Sequence, residues 1–261
     1  MSNSGVPVEL EICDGIAYVT FARPVEANTI DLAFGRAFLA AAYSIEAARG
    51  VRAILVTGQG RHFCLGGNLK GMMASGSSAL SYLSELTTTL HAGMTLLARM
   101  DAPVIAAVNG TAAGAGLGLV LAADLAIAAR GAKFVSSYTG VGLTPDAGCT
   151  FFLPRLVGSK RAMELFLTNR VLSADEALAW GLVNNVVAED ELEGAAHALA
   201  AELAAGPTGT FGAIKRLLGE SEAGLEAQFG RESRSIAMCG ASIEGREGIA
   251  AFLQKRPPQY R

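Results

Sequence analysis

The sequence predicts an α/β fold whose last quarter is helical. Three observations carry that expectation. Short apolar runs of strand length alternate with segments of helical spacing up to about residue 188. Two of the apolar runs end in glycine-bearing turns. From Asp190 onward the apolar spacing is helical, interrupted near Gly206-Pro207 and Gly240. The expected organisation is a core over 1–188 followed by a C-terminal helical region over 189–261.

Taken in order, Val8–Glu11 and Ala17–Phe21 read as a hairpin across Asp14-Gly15, a dipeptide that tolerates positive φ at both positions. Asp31 to Ala48 reads as a helix stopped at Gly50. Ala53–Thr57 is a buried strand that runs into Gly58-Gln-Gly60 and a loop over Arg61–Gly71. Leu83, Leu86, Leu90, Met94 and Leu97 mark a helix over Leu80–Met100. Pro103 opens a second buried strand, Val104–Val108, and Gly114-Ala-Gly116 begins a small-residue helix. Leu125–Ala129, Lys133–Ser136 and Val183–Val187 read as further strands.

Composition narrows the functional classes. The 261 residues are enough for one large core. Hydrophobic residues make up 51% and charged residues 17%, richer in apolar groups than an ordinary soluble domain. Much of that excess is alanine, and no run reaches the 18 uninterrupted apolar residues of a membrane span. The longest candidate, 104–129, is broken by Asn109, Gly110, Gly114, Gly116, Gly118 and Asp124. A buried subunit interface accounts better for the low charge. The net charge of −3 and the lack of a basic tract argue against a nucleic-acid partner. The start MSNSGVPVEL lacks a basic and then apolar leader, so a cytoplasmic protein is expected. Cys13, Cys64, Cys149 and Cys239 are far apart and read as reduced thiols. His62, His91 and His197 are scattered, so no metal is expected.

The two glycine turns are the first candidate site. One runs Val56-Thr-Gly-Gln-Gly60 on to Leu65-Gly66-Gly67; the other runs Val108-Asn-Gly-Thr-Ala-Ala-Gly114-Ala115-Gly116. Glycine lets a backbone approach a ligand closely. The second turn opens a helix, whose first N–H groups lack intrahelical acceptors. Two such N–H groups aimed at one carbonyl oxygen make an oxyanion hole. The alternative is that the glycines only allow tight turns. A dinucleotide fingerprint at Gly114-x-Gly116 fails, because the third glycine position is Leu119 and the stretch 132–138 offers no ribose-binding acid.

Longer motifs make the comparison specific. Arg61-His-Phe-Cys-Leu-Gly-Gly-Asn-Leu-Lys70 resembles the R-x-F-C-A-G-A-D-L loop of the crotonase (enoyl-CoA hydratase/isomerase) family. Pro103-Val-Ile-Ala-Ala-Val-Asn-Gly-Thr-Ala-Ala-Gly-Ala-Gly116 resembles that family's P-x-I-A-A-V-N-G-x-A-x-G-G-G element. Arg23-Pro24…Asn28, Pro145-Asp146-Ala-Gly148, Gly181-Leu-Val183 and a tail over 247–256 follow in family order. The resemblance implies a ClpP/crotonase β-β-α spiral, assembled as a homotrimer or a dimer of trimers. It implies an acyl-CoA thioester substrate, with no metal and no redox cofactor. The oxyanion donors would be the N–H groups of Gly67 and Ala115. Coenzyme A would lie across Arg23 and Ala27, along Leu65, Gly66, Gly67, Asn68, Leu69 and Lys70, and beside Gly114. Phe252 and Lys255 would meet its nucleotide end.

The departures from the family concern acid–base chemistry. Its basic residue after the Arg-Pro step is Val25 here, followed by Glu26, and its loop aspartate is Asn68. The two glutamates of a hydratase fall on Gly118 and Tyr138, so paired-carboxylate hydration is not expected. Asp146 remains, where family isomerases carry a single catalytic carboxylate. Val141, Leu143, Phe151 and Phe152 are expected around it, an apolar setting that would raise a carboxyl pKa. The alternative role for Asp146 is a helix N-cap before Thr150. His91, Tyr138 and Asp146 also fall where a resemblance to 4-chlorobenzoyl-CoA dehalogenase puts its histidine, tryptophan and nucleophilic aspartate. For His91 the alternative is a plain wall residue of its helix. The expected function is an enoyl-CoA isomerase, by double-bond shift or a phenylacetyl-CoA ring-type isomerisation. A hydratase, a dehalogenase-like enzyme and a non-catalytic RNA-binding relative are the alternatives. The acyl pocket is expected to be walled by Met72, Met73, Tyr82, Leu86, Tyr138 and Phe152.

Overall fold

The computed structural model describes residues 5–219 and 224–260. The first four residues of the leader reading lie outside that range. In chain order the elements are β1 (Val8–Cys13), β2 (Ile16–Phe21), α1 (Leu32–Ala47), β3 (Ala53–Gly58), β4 (His62–Cys64), α2 (Leu69–Ala74), α3 (Ala79–Arg99), β5 (Val104–Val108) and β6 (Thr111–Ala113). There follow α4 (Ala115–Leu121), β7 (Leu125–Ala129), β8 (Lys133–Val135), α5 (Cys149–Val157), α6 (Ser159–Thr168), β9 (Leu172–Ser173), α7 (Ala174–Ala179) and β10 (Asn185–Val187). The chain continues through α8 (Leu192–Ala204), α9 (Thr208–Gly219), α10 (Leu225–Ala241) and α11 (Ile243–Gln254).

Two sheets organise these elements. The larger has the order β1-β2-β3-β5-β7-β10, parallel except for the β1–β2 hairpin. The smaller has the order β4-β6-β8-β9, with β8–β9 antiparallel. Each turn of the chain gives one strand to the large sheet and the next to the small one, then a helix. That repeat, β3-β4, β5-β6 and β7-β8, is the expected β-β-α spiral. The Asp14-Gly15 turn has φ of +51° and +78°, as its sequence demands. Asp31 caps α1, its carboxylate accepting from Phe34 N–H at 2.8 Å.

The central strands β3, β5 and β7 are buried on both faces, which is why they read as unbroken apolar runs. Ile54, Val56, Val104, Ala106, Val108, Ala126 and Ala128 face the main core with the phenylalanines of α1. Ala53, Leu55, Ile105, Ala107, Ile127 and Ala129 face the other way, onto Leu192, Ala196, Ala200 and Ala204 of α8. That four-residue spacing puts the α8 residues on one stripe, and small alanines let the helix lie close. So α8, beyond residue 188, closes the second face of the sheet. No helix among the described residues is long and apolar enough to cross a membrane.

Candidate active site

The exits of β4, β6 and β8 converge, because these three strands are neighbours in the small sheet and run parallel. Each exit contributes one part of a cavity of about 320 Å³, within the range of small-molecule sites. Gly67 comes from the first exit, Gly114 and Ala115 from the second, Tyr138 and Asp146 from the third.

Backbone bonding leaves two N–H groups beside this space without an acceptor in their own bridge or helix. Ile30 N–H donates to Gly66 O at 2.8 Å, and Asn68 N–H donates to Ile30 O at 2.8 Å. In such a parallel bridge the residue between, Gly67, turns its own N–H away from Ile30, and Gly67 lines the cavity. Ala115 is the first residue of α4, so its N–H has no intrahelical acceptor. The two loops touch through Gly66, whose φ is +78°. A Cβ there would stand 2.7 Å from Ala113 O and 3.1 Å from Ala115 N, so only glycine permits the approach.

Asn28 braces the first loop from beneath. It is fully buried, and its amide donates to Gln59 O, His62 O and Phe63 O at 3.0, 2.8 and 3.1 Å. Its own Oδ1 accepts from Arg23 N–H at 2.9 Å. Ala27 accepts from Leu65 N–H at 3.2 Å, which ties the Arg23–Asn28 turn to the loop. Arg23 spends its guanidinium on Asp31 at 2.8 Å. Asn68 caps α2, accepting from Gly71 N–H at 3.1 Å.

Asp146 sits on the third exit, its side chain 28% exposed. Tyr138, which is buried, donates its hydroxyl to Asp146 Oδ1 at 2.5 Å. Burial first, and then the neighbouring Cys149 and Asp146, push the Tyr138 phenol well above its ordinary pKa, so it acts as a proton donor to the carboxylate. Asp146 does not cap α5: Gly148 holds that position in a left-handed conformation. Asp146 is instead the start of a turn, its carbonyl accepting from Cys149 N–H at 2.9 Å. His91 on α3 lies behind, its Nε2 accepting from Ala147 N–H at 3.1 Å and standing 3.8 Å from Asp146 Oδ2.

The rest of the lining is largely apolar: Leu69, Met72, Leu83, Leu86, Leu90, Val141 and Leu143, with the hydroxyls of Thr87, Ser137 and Thr144. Among the described lining residues Asp146 is the one carboxylate. Several expectations change here. Met73 is 82% exposed and Tyr82 does not line the cavity. Phe151 and Phe152 stack edge to face at 5.0 Å and line a separate groove beside Leu121 and Leu203, so of the apolar groups expected near Asp146 it is Val141 and Leu143 that share its cavity. They sit on α5, where the Phe152 ring packs against Gly148, two residues past Asp146: a Cβ on Gly148 would stand 2.8 Å from it. Lys70, Phe252 and Lys255, expected to meet the coenzyme A part of a substrate and not its acyl group, are exposed outside the cavity. Ser137, with φ of +59°, and Leu83, Thr87 and Leu90 were not foreseen in the sequence. The Leu83-Leu86-Leu90 spacing was visible as a helix stripe, and it is this stripe that faces the cavity.

The spiral fold, with Gly67, Ala115 and one carboxylate gathered at the strand exits, is that of the class of acyl-CoA enzymes that the sequence motifs resemble. The enoyl-CoA hydratase/isomerase family model matches residues 11–261, and the chain belongs to that family. It is 41% identical over 258 residues to a probable enoyl-CoA hydratase of Rhodobacter capsulatus, covering 97% of each chain. It is 37% identical to 4-chlorobenzoyl coenzyme A dehalogenase-2 of an Arthrobacter species, covering 97% of this chain and 93% of that one. It is also 37% identical to 1,2-epoxyphenylacetyl-CoA isomerase of Escherichia coli, covering 94% and 95%.

Proposed function

We propose that this protein is an enoyl-CoA isomerase with Asp146 as its single acid–base group. The observation that carries the reading is the carboxylate inventory of the cavity. Addition of water across a double bond calls for two cooperating groups. Their family positions hold Gly118 and Tyr138, and the phenol of Tyr138 is already committed to Asp146. Nor is there room for the first: a Cβ on Gly118 would lie 2.5 Å from Ala147 O and 2.6 Å from Ala147 Cβ.

Isomerisation needs less. Asp146 removes a proton from Cα of a 3-enoyl thioester, and the electron pair moves onto the thioester oxygen. The N–H groups of Gly67 and Ala115 hold that oxyanion. Asp146 then returns the proton to Cγ, giving the conjugated 2-enoyl thioester, so no net charge or atom is left over. Neither a metal nor a redox cofactor takes part; coenzyme A arrives with the substrate. The apolar faces of α10, exposed at Leu225, Phe229, Ile236 and Met238, support assembly as a trimer or a dimer of trimers.

A second reading is hydrolytic dehalogenation of an aryl thioester, favoured by His91 and Asp146 lying together and by the dehalogenase relative. Incubating the enzyme with a panel of acyl-CoA thioesters in deuterated water separates the two. Isomerase chemistry gives deuterium at Cα or Cγ and no halide. Chloride release from 4-chlorobenzoyl-CoA without carbon-bound deuterium in any thioester would replace the first reading with the second.

A further inference from the structure

The segment that carries Asp146 is held in an unusual shape. Ala147 has φ of +49°, a left-handed conformation that residues with a Cβ rarely adopt, and it is fully buried. Its carbonyl and Cβ lie against Gly118 of α4, where a larger residue would collide. Its N–H points the other way, to His91 Nε2 at 3.1 Å. A backbone N–H is a fixed donor, so the atom facing it has to be an acceptor. The imidazole proton must then sit on Nδ1, and Nε2 carries none.

That assignment changes what His91 can do. Nε2 stands 3.8 Å from Asp146 Oδ2, beyond hydrogen-bond length and with no proton to share. Its lone pair is occupied by the Ala147 amide, so it is not free to take a proton from a water molecule. We propose that His91 is a positioning residue and not a base: it pins the Ala147 amide, and through it sets where the Asp146 carboxylate points. The inference rests on Asp146 being the acid–base group. Four neighbours then fix this carboxylate segment. Tyr138 holds Oδ1, His91 holds the next amide, Gly118 leaves room for the strained residue, and Cys149 N–H closes the turn on the Asp146 carbonyl.

The tautomer is directly measurable. Long-range nitrogen–proton correlation spectra of the histidine-labelled protein, at about pH 8 where an ordinary imidazole is neutral, resolve the two ring nitrogens. The His91 signals are those absent from His91→Gln. A proton on Nδ1 is expected, and a proton on Nε2 overturns the proposal whether or not a substrate is in hand. Turnover of 3-hexenoyl-CoA gives the functional arm. The terminal oxygen of glutamine can accept the Ala147 N–H but cannot serve as a base. His91→Gln is therefore expected to stay within about threefold of the parent, while His91→Ala loses on the order of 10²-fold in kcat at similar KM, as for an ångström-scale misplacement. If His91→Gln is as inactive as His91→Ala, His91 is the base and the proposal falls. Asp146→Asn as a control separates the two levels. An active Asp146→Asn sinks the isomerase site reading, whereas an inactive one with an Nε2-protonated His91 sinks the positioning role alone.

Discussion

The Tyr138 hydroxyl donates to Asp146 Oδ1 at 2.5 Å, which ties one oxygen of the carboxylate to a buried phenol. Oδ1 is engaged by a buried phenol, so under the proposed isomerase reading Oδ2 is the oxygen left to carry the proton. Tyr138→Phe keeps the ring that lies against Gly114 and removes only the donor. The loss in kcat is expected to be about 10- to 100-fold, matching the roughly 1.5–3 kcal/mol of a hydrogen bond to a charged group. Tm should fall by only about 3–10 °C, because the packing is retained and the hydrogen bond alone is lost. Steady-state kinetics with a thermal melt check both; an unchanged kcat would leave the contact without a role.

Ala115→Pro tests the backbone donors. Proline suits the first position of a helix, so α4 should still form. The N–H is replaced by a ring carbon on the side where the thioester oxygen is expected. A fall of about 10²–10³ in kcat is expected, as for removal of one oxyanion donor. Far-UV circular dichroism verifies the fold beside the kinetics.

Gly118→Glu restores the first hydratase carboxylate in composition, yet it should not restore hydration. Its Cβ would meet Ala147 O and Ala147 Cβ at 2.5 and 2.6 Å, both parts of a fully buried residue. Overpacking of this kind costs about 1–3 kcal/mol. A Tm several degrees lower and no gain in crotonyl-CoA hydration are expected, by melting curves and by loss of absorbance from the conjugated thioester.

Cys64 and Cys149 bracket the site, and burial pushes both thiols up to about 12. A raised thiol stays protonated until the pH climbs past its folded value, and only the thiolate is alkylated. At about pH 8 the reactive fraction is therefore roughly 10⁻⁴. Iodoacetamide should label exposed Cys13 in the native protein and reach Cys64 and Cys149 only on unfolding. Peptide mass spectrometry before and after denaturant reads this directly.

The centre of the large sheet was legible because its middle strands are buried on both faces and leave unbroken apolar runs, such as Ala53–Gly58 and Val104–Val108. The small sheet was not, since β4, β6 and β9 are two or three residues long and carry no period of their own. Lys133–Val135 and Asn185–Val187 came out shorter than read for the same reason. Gly67, Ala115 and Asp146 could be named from motifs, and the spiral does bring them to one cavity. The wall was read less well. Phe152 is near Asp146 in sequence, but α5 turns it to another groove. The contact from His91 to Ala147 spans 56 residues and depends on a left-handed Ala147, which no local pattern announces.

Asp146→Asn is the most direct test of the central claim. Asparagine keeps the shape and can still accept from Tyr138, so the melting temperature should stay close to that of the parent. It cannot take up a proton at neutral pH. With 3-hexenoyl-CoA in deuterated water, conversion to the 2-enoyl thioester and deuterium uptake should both fall by at least about 10²–10⁴-fold, the usual contribution of a general base. Near-parental conversion by Asp146→Asn would show that the proton is carried by another group and contradict the account.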